Sequence, residues 1–430
     1  MTPFTIDNLP YGIISTDDNR SKRCAVAFQE FAIDLDLLYR HGFFASIPDL
    51  NFNVFANDNW NDFAVLPIGL QATVRARIRS GILDKIVDKA LVPLSIVQNH
   101  LPMHTRNFSD FYCSLEHAKN VCHFRRWNIS VFFLLWLANA FKCTEVMKLK
   151  VSSNWFSIPS VYNGRTSSLA VSGTPITRPC GMYPDPQTGA ISFQPESKLD
   201  FELEIGVWLS TPVLRGQRLD IAKAKEHIFG FTLLNDWSSR QIQSFEMPPL
   251  GCFHSKGSLT SVSPWIVPIE VLESVKCGRT TQQDPLPVAH LMPQDDAALT
   301  YDIDLSVTLL RDEKSYTLCE SNLNTLYWTP IQQLTHLASA GEWLSTGDVF
   351  GTGTISTSAT NSDGEKIGLG CLLERSLPRT VLKSAPPDLH ETFLKDGDEV
   401  ILEGWCRNKT TGQVVFGFGQ CRGKVLPAIP

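Results

Sequence analysis

The sequence predicts a mainly β protein of the α+β class, arranged in two domains, and three observations carry that prediction. From Asn154 onward turn signals recur at short intervals, at Asn163-Gly164, Ser172-Gly173-Thr174-Pro175 and Pro184-Asp185-Pro186, with strand-like runs between them. The run Phe201-Glu202-Leu203-Glu204-Ile205 alternates apolar and acidic residues before Gly206-Val207-Trp208-Leu209, and a period of two belongs to a strand. The third is length, because 430 residues exceed what a single hydrophobic core usually serves.

Taken in order, residues 1 to 101 read as a small domain of their own. Leu9-Pro10-Tyr11-Gly12 reads as a turn, and Arg23 to Phe28 and Phe31 to Leu38 read as short strands. Residues 71 to 97 have helical spacing with an exposed basic side, as in a cap or dimerisation domain. Residues 102 to 430 form the second, β-rich domain. Within it a strand-like run from Ile228 to Leu234 ends at Asn235-Asp236-Trp237-Ser238-Ser239-Arg240. Met247-Pro248-Pro249-Leu250-Gly251 is a stiff loop leading to Lys256, and 275 to 300 is a surface excursion poor in large apolar residues. Strands resume from Tyr301 to Leu310 and from Val400 to Phe418, the latter split by a turn at Asn408 to Gly412.

Composition excludes several classes. Hydrophobic residues are 43% and charged residues 19%, an ordinary globular balance that rules against wholesale disorder. The net charge is −6 and the basic residues occur at most in pairs such as Arg125-Arg126, so neither nucleic acid nor an anionic membrane surface is expected as a partner. The most apolar stretch, Val131 to Ala138, is far short of the roughly 20 residues a membrane-spanning helix needs. The 11 cysteines include no CxxC pair and no zinc spacing, and the first residues carry no secretory pattern, so a reduced, cytoplasmic chain is expected.

The chemistry starts at Glu202 and Glu204. In a strand, residues two apart share a face, so both carboxylates point the same way. A lone pair of this kind is most often a solvated strand edge. Two further stretches change the weighting: Asp236 at the end of its strand, and Asp110-Phe111-Tyr112 with His117 close behind. Three oxygen-rich stretches can converge on one hard cation, Mg2+ or Ca2+. Read alone, Asp110 is also a helix N-terminal charge and His117 a satisfied core histidine.

Longer blocks accompany these residues: Asn8-Leu9-Pro10-Tyr11-Gly12, His117-Ala118-Lys119-Asn120-Val121, Tyr162-Asn163-Gly164-Arg165-Thr166, Val171-Ser172-Gly173-Thr174-Pro175-Ile176, Glu226-His227-Ile228-Phe229-Gly230, Ser263-Pro264-Trp265, Gly353-Thr354-Ile355-Ser356 and Gly417-Phe418-Gly419-Gln420-Cys421. With them the chain resembles the fumarylacetoacetate hydrolase family almost end to end, in its eukaryotic form with an N-terminal domain. The resemblance implies an SH3-like barrel followed by a rolled mixed-sheet catalytic domain, and a homodimer. It implies hydrolysis of the carbon–carbon bond of 4-fumarylacetoacetate to fumarate and acetoacetate, the last step of tyrosine and phenylalanine breakdown. By the same resemblance Asp110, Glu202, Glu204 and Asp236 match the ligands of Ca2+, and Asp236, Lys256 and Thr260 a nearby Mg2+ position. His117 matches the general base and Glu374 the acid that orients it; the tetrahedral oxyanion of such a cleavage also needs donors, which Lys256 and Gln243 can supply. Tyr112, Gln243, Thr354, Tyr162 and an arginine, Arg125 or Arg126, match substrate-binding positions.

The chain departs from the family pattern in three places. Met247 stands where a substrate-contacting tyrosine is usual, and Leu259 replaces a glycine. The interval from His117 to Tyr162 is longer than usual by roughly 20 residues, within about 127 to 153. That stretch is either a lid-like insertion or retained non-coding sequence, and its deletion is expected to leave a soluble protein at least as active. Met247 leaves open another acylpyruvate or β-diketone as substrate, and the long interval leaves open a homologue that keeps the fold without activity.

Overall fold

The computed structural model describes residues 2–128, 151–295, 299–375, 385–386, 388–408 and 410–429, the side chains of 122–128 and 390–391 excepted. The expectations for Arg125 and Arg126 and for the core of the 127–153 stretch therefore lie outside the described residues.

The N-terminal domain is built on a five-stranded antiparallel sheet. Tyr11–Ser15, Arg23–Phe28 and Phe31–Asp34 form a meander, flanked by Leu91–Pro93 on one side and Gln98–His100 on the other. Three local expectations are corrected here. Tyr11 and Gly12 belong to the first strand rather than to a turn, because Tyr11 exchanges backbone hydrogen bonds with Ile266 at 2.8 and 2.7 Å. The strand from Phe31 stops at Asp34, whose carboxylate accepts from Leu37 N–H at 2.9 Å and caps the helix Leu35–Arg40. The long helix is Ile68–Leu83, and it ends before Lys85, whose φ of +57 lies in the left-handed region. Its basic side is not a free face. Arg77 lies over the Phe43 ring at 4.2 Å, and Arg75 is mostly buried, ion-paired with Glu270 and donating to Leu9 O and Asn8 O.

The second domain carries two large sheets among the described residues. The site sits on the eight-stranded one, which is mixed. Its strands run in the order Val161–Asn163, Phe108–Phe111, Val349–Gly351, Leu203–Leu209, Ile228–Asp236, Thr260–Val262 and Leu169–Val171, with Val267–Pro268 beside Ile228–Asp236. The pairings Val349–Gly351 with Phe108–Phe111, and Thr260–Val262 with Leu169–Val171, are parallel. Asp110 is thus a strand residue and not a helix charge.

Both faces of this sheet are covered. Leu203, Ile205, Val207, Phe231 and Leu233 face the main core. Trp208, Leu234, Val262, Val349 and Phe108 face the other way, into a core shared with Tyr11, Trp60 and Phe63 of the N-terminal domain. The acidic alternation at Glu202 and Glu204 is therefore not a half-solvated strand, since every residue of Leu203–Leu209 is buried. Period two then places Glu204, Gly206 and Trp208 on the face that the N-terminal domain seals.

Candidate active site

The acidic residues gather at one end of that face, beyond the apolar contacts with the N-terminal domain. Asp110, Glu202, Glu204 and Asp236 each bring one carboxylate oxygen to within 4.8 Å of the others, and all four are buried. Three strands supply them: Asp110 is next to last in Phe108–Phe111, Asp236 is last in Ile228–Asp236, and Glu202 and Glu204 flank Leu203 at the start of Leu203–Leu209. Room for them exists because Gly351 lies between. A Cβ there would stand 2.5 Å from Glu204 Oε2 and 2.7 Å from Asp110 Oδ1, so any other residue would fill the hollow. Gly353 follows with φ +78 and passes 2.3 Å (for an added Cβ) from Phe111 O. Its N–H donates to Glu204 Oε2 at 3.0 Å.

Charge is compensated on one side only. Lys256 Nζ lies 2.5 Å from both Glu202 Oε2 and Asp236 Oδ2, and Arg240 Nη2 lies 2.7 Å from Glu202 Oε1. Burial pushes the Glu202 carboxyl up, but Lys256, Arg240 and His117 together hold it well below the usual range. Asp110 and Glu204 have no such partner. Burial, followed by repulsion from Asp236 at Asp110 and from Asp110 at Glu204, raises both well above the usual carboxylate range. Asp110 Oδ1 and Glu204 Oε1 are buried without a hydrogen-bond partner among the described residues. Buried carboxylate oxygens with no donor, a hollow kept open by glycine and an all-oxygen donor set fit a hard divalent cation.

A second bank faces the first. His117 lies in the first turn of the helix Leu115–Asn128, and Glu374 in the short helix Leu372–Arg375. His117 Nδ1 is 3.2 Å from Glu374 Oε2. Asn120 donates to Glu374 Oε1 at 2.8 Å and Ser356 Oγ to Oε2 at 2.7 Å. Burial works against the Glu374 charge, yet His117 and these donors lower its carboxyl on balance. The Tyr112 ring meets the His117 ring edge-on at 5.1 Å. Cys371 Sγ lies 3.4 Å from Glu374 Oε2 and 4.0 Å from His117 Nδ1.

Asp200 ties the banks together. One of its oxygens accepts from Leu372 N–H at 2.7 Å and from Phe201 N–H at 2.8 Å. The other accepts from Leu373 N–H at 3.0 Å and from Arg240 Nε at 2.8 Å. The segment carrying Glu374 and the guanidinium that holds Glu202 thus share one fully buried anchor.

Most of the residues singled out from the sequence meet here. Thr260 Oγ1 donates to Asp236 Oδ1 at 3.1 Å, and the Tyr162 hydroxyl sits 2.8 Å from Asp110 Oδ2 and 3.1 Å from Asp236 Oδ2, against the acidic cluster itself. The helix begins at Arg240 rather than at Asp236, because Ser238–Ser239 still pairs with Leu199–Asp200. Arg240 Nη1 donates to Gln243 Oε1 at 3.0 Å, Gln243 Nε2 reaches Cys252 Sγ at 3.2 Å, and Met247 is half-buried at the end of the helix. Thr354 is buried on the loop between Gly353 and Ser356, which links the two banks. Leu259 packs against the main core. Sequence reading assigned no role to Asp200, Gly351, Ser356 or Cys371. Only Asp200 had a legible signal: the period-two acidic series begins there, two residues before Glu202.

Comparison with known proteins gives one consistent result. The Fumarylacetoacetate (FAA) hydrolase C-terminal family matches residues 131–426 and the Fumarylacetoacetase N-terminal family matches 7–102. Fumarylacetoacetase of Rattus norvegicus is 37% identical over 438 residues, spanning 99% of this chain and 97% of that one. Fumarylacetoacetase of Arabidopsis thaliana is 36% identical over 446 residues, spanning 99% and 96%. Among solved structures, a fumarylacetoacetate hydrolase of the psychrophilic Exiguobacterium antarcticum superposes with a TM-score of 0.50 at 14% identity, covering 97% of this chain and 99% of that one.

Proposed function

The chain belongs to the fumarylacetoacetate hydrolase family, and from that premise we infer that it is a hydrolase that cleaves the carbon–carbon bond of 4-fumarylacetoacetate into fumarate and acetoacetate. The observation that carries the reading is the pairing of a buried four-carboxylate hollow with a histidine–glutamate couple across from it.

Cleaving a β-diketone requires water to add to one carbonyl and a carbanion to leave as an enolate. His117 takes the proton of the water at Nε2, while Glu374 on Nδ1 fixes the tautomer and stabilises the imidazolium. The hydroxyl oxygen bonds to the fumaroyl carbon. The carbon–carbon bond then breaks with its electron pair in the acetoacetate enolate, and the imidazolium returns the proton to that carbon. Lys256, with a third N–H beyond its two carboxylate partners, and Gln243 supply donors for the oxyanion. Asp110, Glu202, Glu204 and Asp236 would hold a divalent cation, which would supply Lewis-acid stabilisation of developing negative charge on the substrate.

The finer points belong to the same proposal. The cation is Ca2+ at the four carboxylates, with Mg2+ near Asp236 and Thr260. The Lys256 ammonium has no lone pair, so its side chain there acts as a neighbouring charge and not as a ligand. Tyr112, Tyr162, Thr354 and Met247 line the substrate, and one arginine, Arg125 or Arg126, is its arginine partner. A domain boundary between residues 101 and 102, a homodimer, a cytoplasmic setting and the last step of tyrosine breakdown complete the reading. Steady-state hydrolysis of fumarylacetoacetate by the purified chain tests it, with chelator, with Ca2+ restored, and with His117→Ala. Activity is expected to vanish with chelator, return with Ca2+, and fall by about 10²–10⁴ in the variant. Undiminished turnover after chelation, or near-normal turnover of His117→Ala, overturns the assignment.

A further inference from the structure

Cys371 is not needed to hold Glu374. That carboxylate already receives Asn120, Ser356 and the His117 ring, and a thiol is a weak donor. Yet its sulfur completes a three-cornered arrangement. Sγ to Oε2 is 3.4 Å, Nδ1 to Oε2 is 3.2 Å and Sγ to Nδ1 is 4.0 Å. A tetrahedral zinc, with bonds of about 2.3 Å to sulfur and about 2.0–2.2 Å to nitrogen and oxygen, requires donor separations of roughly 3.4–3.6 Å. Each observed separation lies within about 0.5 Å of that requirement. Cys371 immediately precedes the short helix Leu372–Arg375 that carries Glu374, and His117 meets them from another helix.

We propose that Cys371, His117 and Glu374 form a second metal site, for a borderline cation of the Zn2+ class, whose occupation switches off the base. The donor set of sulfur, nitrogen and one oxygen selects against the hard cations suited to the acidic hollow. Binding forms a metal–sulfur bond as the thiol proton leaves to solvent, and no electrons are transferred. With Nδ1 coordinated, the neutral ring carries its one proton on Nε2 and has no lone pair left to accept one from water. Zinc at this site therefore lowers kcat without displacing the cation of the hollow. The binding claim stands on the geometry, while the loss of activity rests on the reading of His117 as base.

The test uses the full chain at saturating Ca2+ and follows two signals. Added Zn2+ is expected to inhibit hydrolysis through kcat, and added Cd2+ to raise a thiolate-to-metal ultraviolet band. The zinc-free turnover of Cys371→Ser is measured first and serves as that variant's own reference. The zinc concentration for half-inhibition rises at least about tenfold, since loss of an outer-shell partner alone costs about 10–100-fold in affinity. The cadmium band falls by the share due to Cys371. X-ray absorption of the zinc-loaded unmodified protein is expected to show one sulfur among nitrogen and oxygen ligands, a result independent of how any variant folds. An all-oxygen shell, or inhibition of Cys371→Ser equal to that of the unmodified chain, overturns the site. A cadmium band without inhibition overturns the switch.

Discussion

One face of one sheet has two ends that do opposite things. At one end Phe108, Trp208, Leu234, Val262 and Val349 pack against Tyr11, Trp60 and Phe63 of the N-terminal domain. Two residues further along four of these strands stand Asp110, Asp236, Thr260 and Gly351, four residues from Trp208 stands Glu204, and the apolar contacts give way to a hollow of carboxylates. The backbone is continuous between the ends. What differs is that apolar side chains gain from leaving water whatever their neighbours, whereas buried carboxylates require partners of opposite charge. The apolar end is therefore expected to govern stability and the acidic end to govern cation binding, and each can be perturbed alone.

The sharpest break is a pair of substitutions. Trp208→Ala removes a fully buried indole and its hydrogen bond to Thr232, and is expected to cost about 3–5 kcal/mol in urea unfolding. Metal stoichiometry per folded molecule should not change. Glu204→Gln should do the reverse, lowering Ca2+ affinity by at least about 10–100-fold with hydrolysis, while the calcium-free form unfolds no more easily. If both variants move both quantities together, the two ends are one unit and the contrast is lost.

Gly351→Ala probes the boundary between them. Its methyl would sit 2.5 Å from Glu204 Oε2, so calorimetric Ca2+ titration should show a loss of about tenfold or more. Affinity equal to that of the unmodified chain would mean the hollow is not where the cation sits.

Asp200→Asn keeps shape and removes the charge that links the banks. A drop in kcat of about tenfold with a smaller change in KM is expected, through Glu374 and Arg240. An unshifted pH profile and unchanged kcat would reduce Asp200 to a purely structural helix cap.

Protonation gives a subtler test. Asp110 and Glu204 have raised carboxyls in the folded chain, so their contribution to stability is full below their unfolded value of about 4 and is lost as pH rises through the folded value. Without metal the chain should lose stability from about pH 4 upward through these groups, and with metal it should be spared. The gap in Tm between loaded and chelated protein should widen with pH. A constant or narrowing gap would contradict the charge assignment. The smallest effect belongs to the tie between domains, where Glu270 is a third exposed. Glu270→Ala should cost under about 1 kcal/mol by urea unfolding, without altering Ca2+ affinity.

The site was legible where chemistry repeats along the chain. Glu202 and Glu204 announced themselves by period, Asp236 by closing an apolar strand, and His117 by its block with Asn120. The fold was legible where turns punctuate strands, as at Arg23–Phe28 and Ile228–Asp236. Reading failed where one side chain outvoted propensity. Asp34 turned an apolar run into a helix, and Arg75, on an apparently basic face, turned inward to Glu270. The Ser356 bond to Glu374 and the place of Cys371 beside it were not legible, since the loop from Gly353 meets Glu374 only in the folded chain.

By itself, then, the sequence determined which residues share a strand face, because alternation is a property of the extended backbone. It also determined the inventory of carboxylates, histidine and lysine available for chemistry. Only the tertiary structure decided which carboxylates keep their charge unaided. Lys256 and Arg240 reach Glu202, while Asp110 and Glu204 face each other across Gly351 with no cation of their own. The physical reason is that Coulomb energy and desolvation depend on distance and burial, and residues as far apart in the chain as 110 and 351 become neighbours only when parallel strands pair.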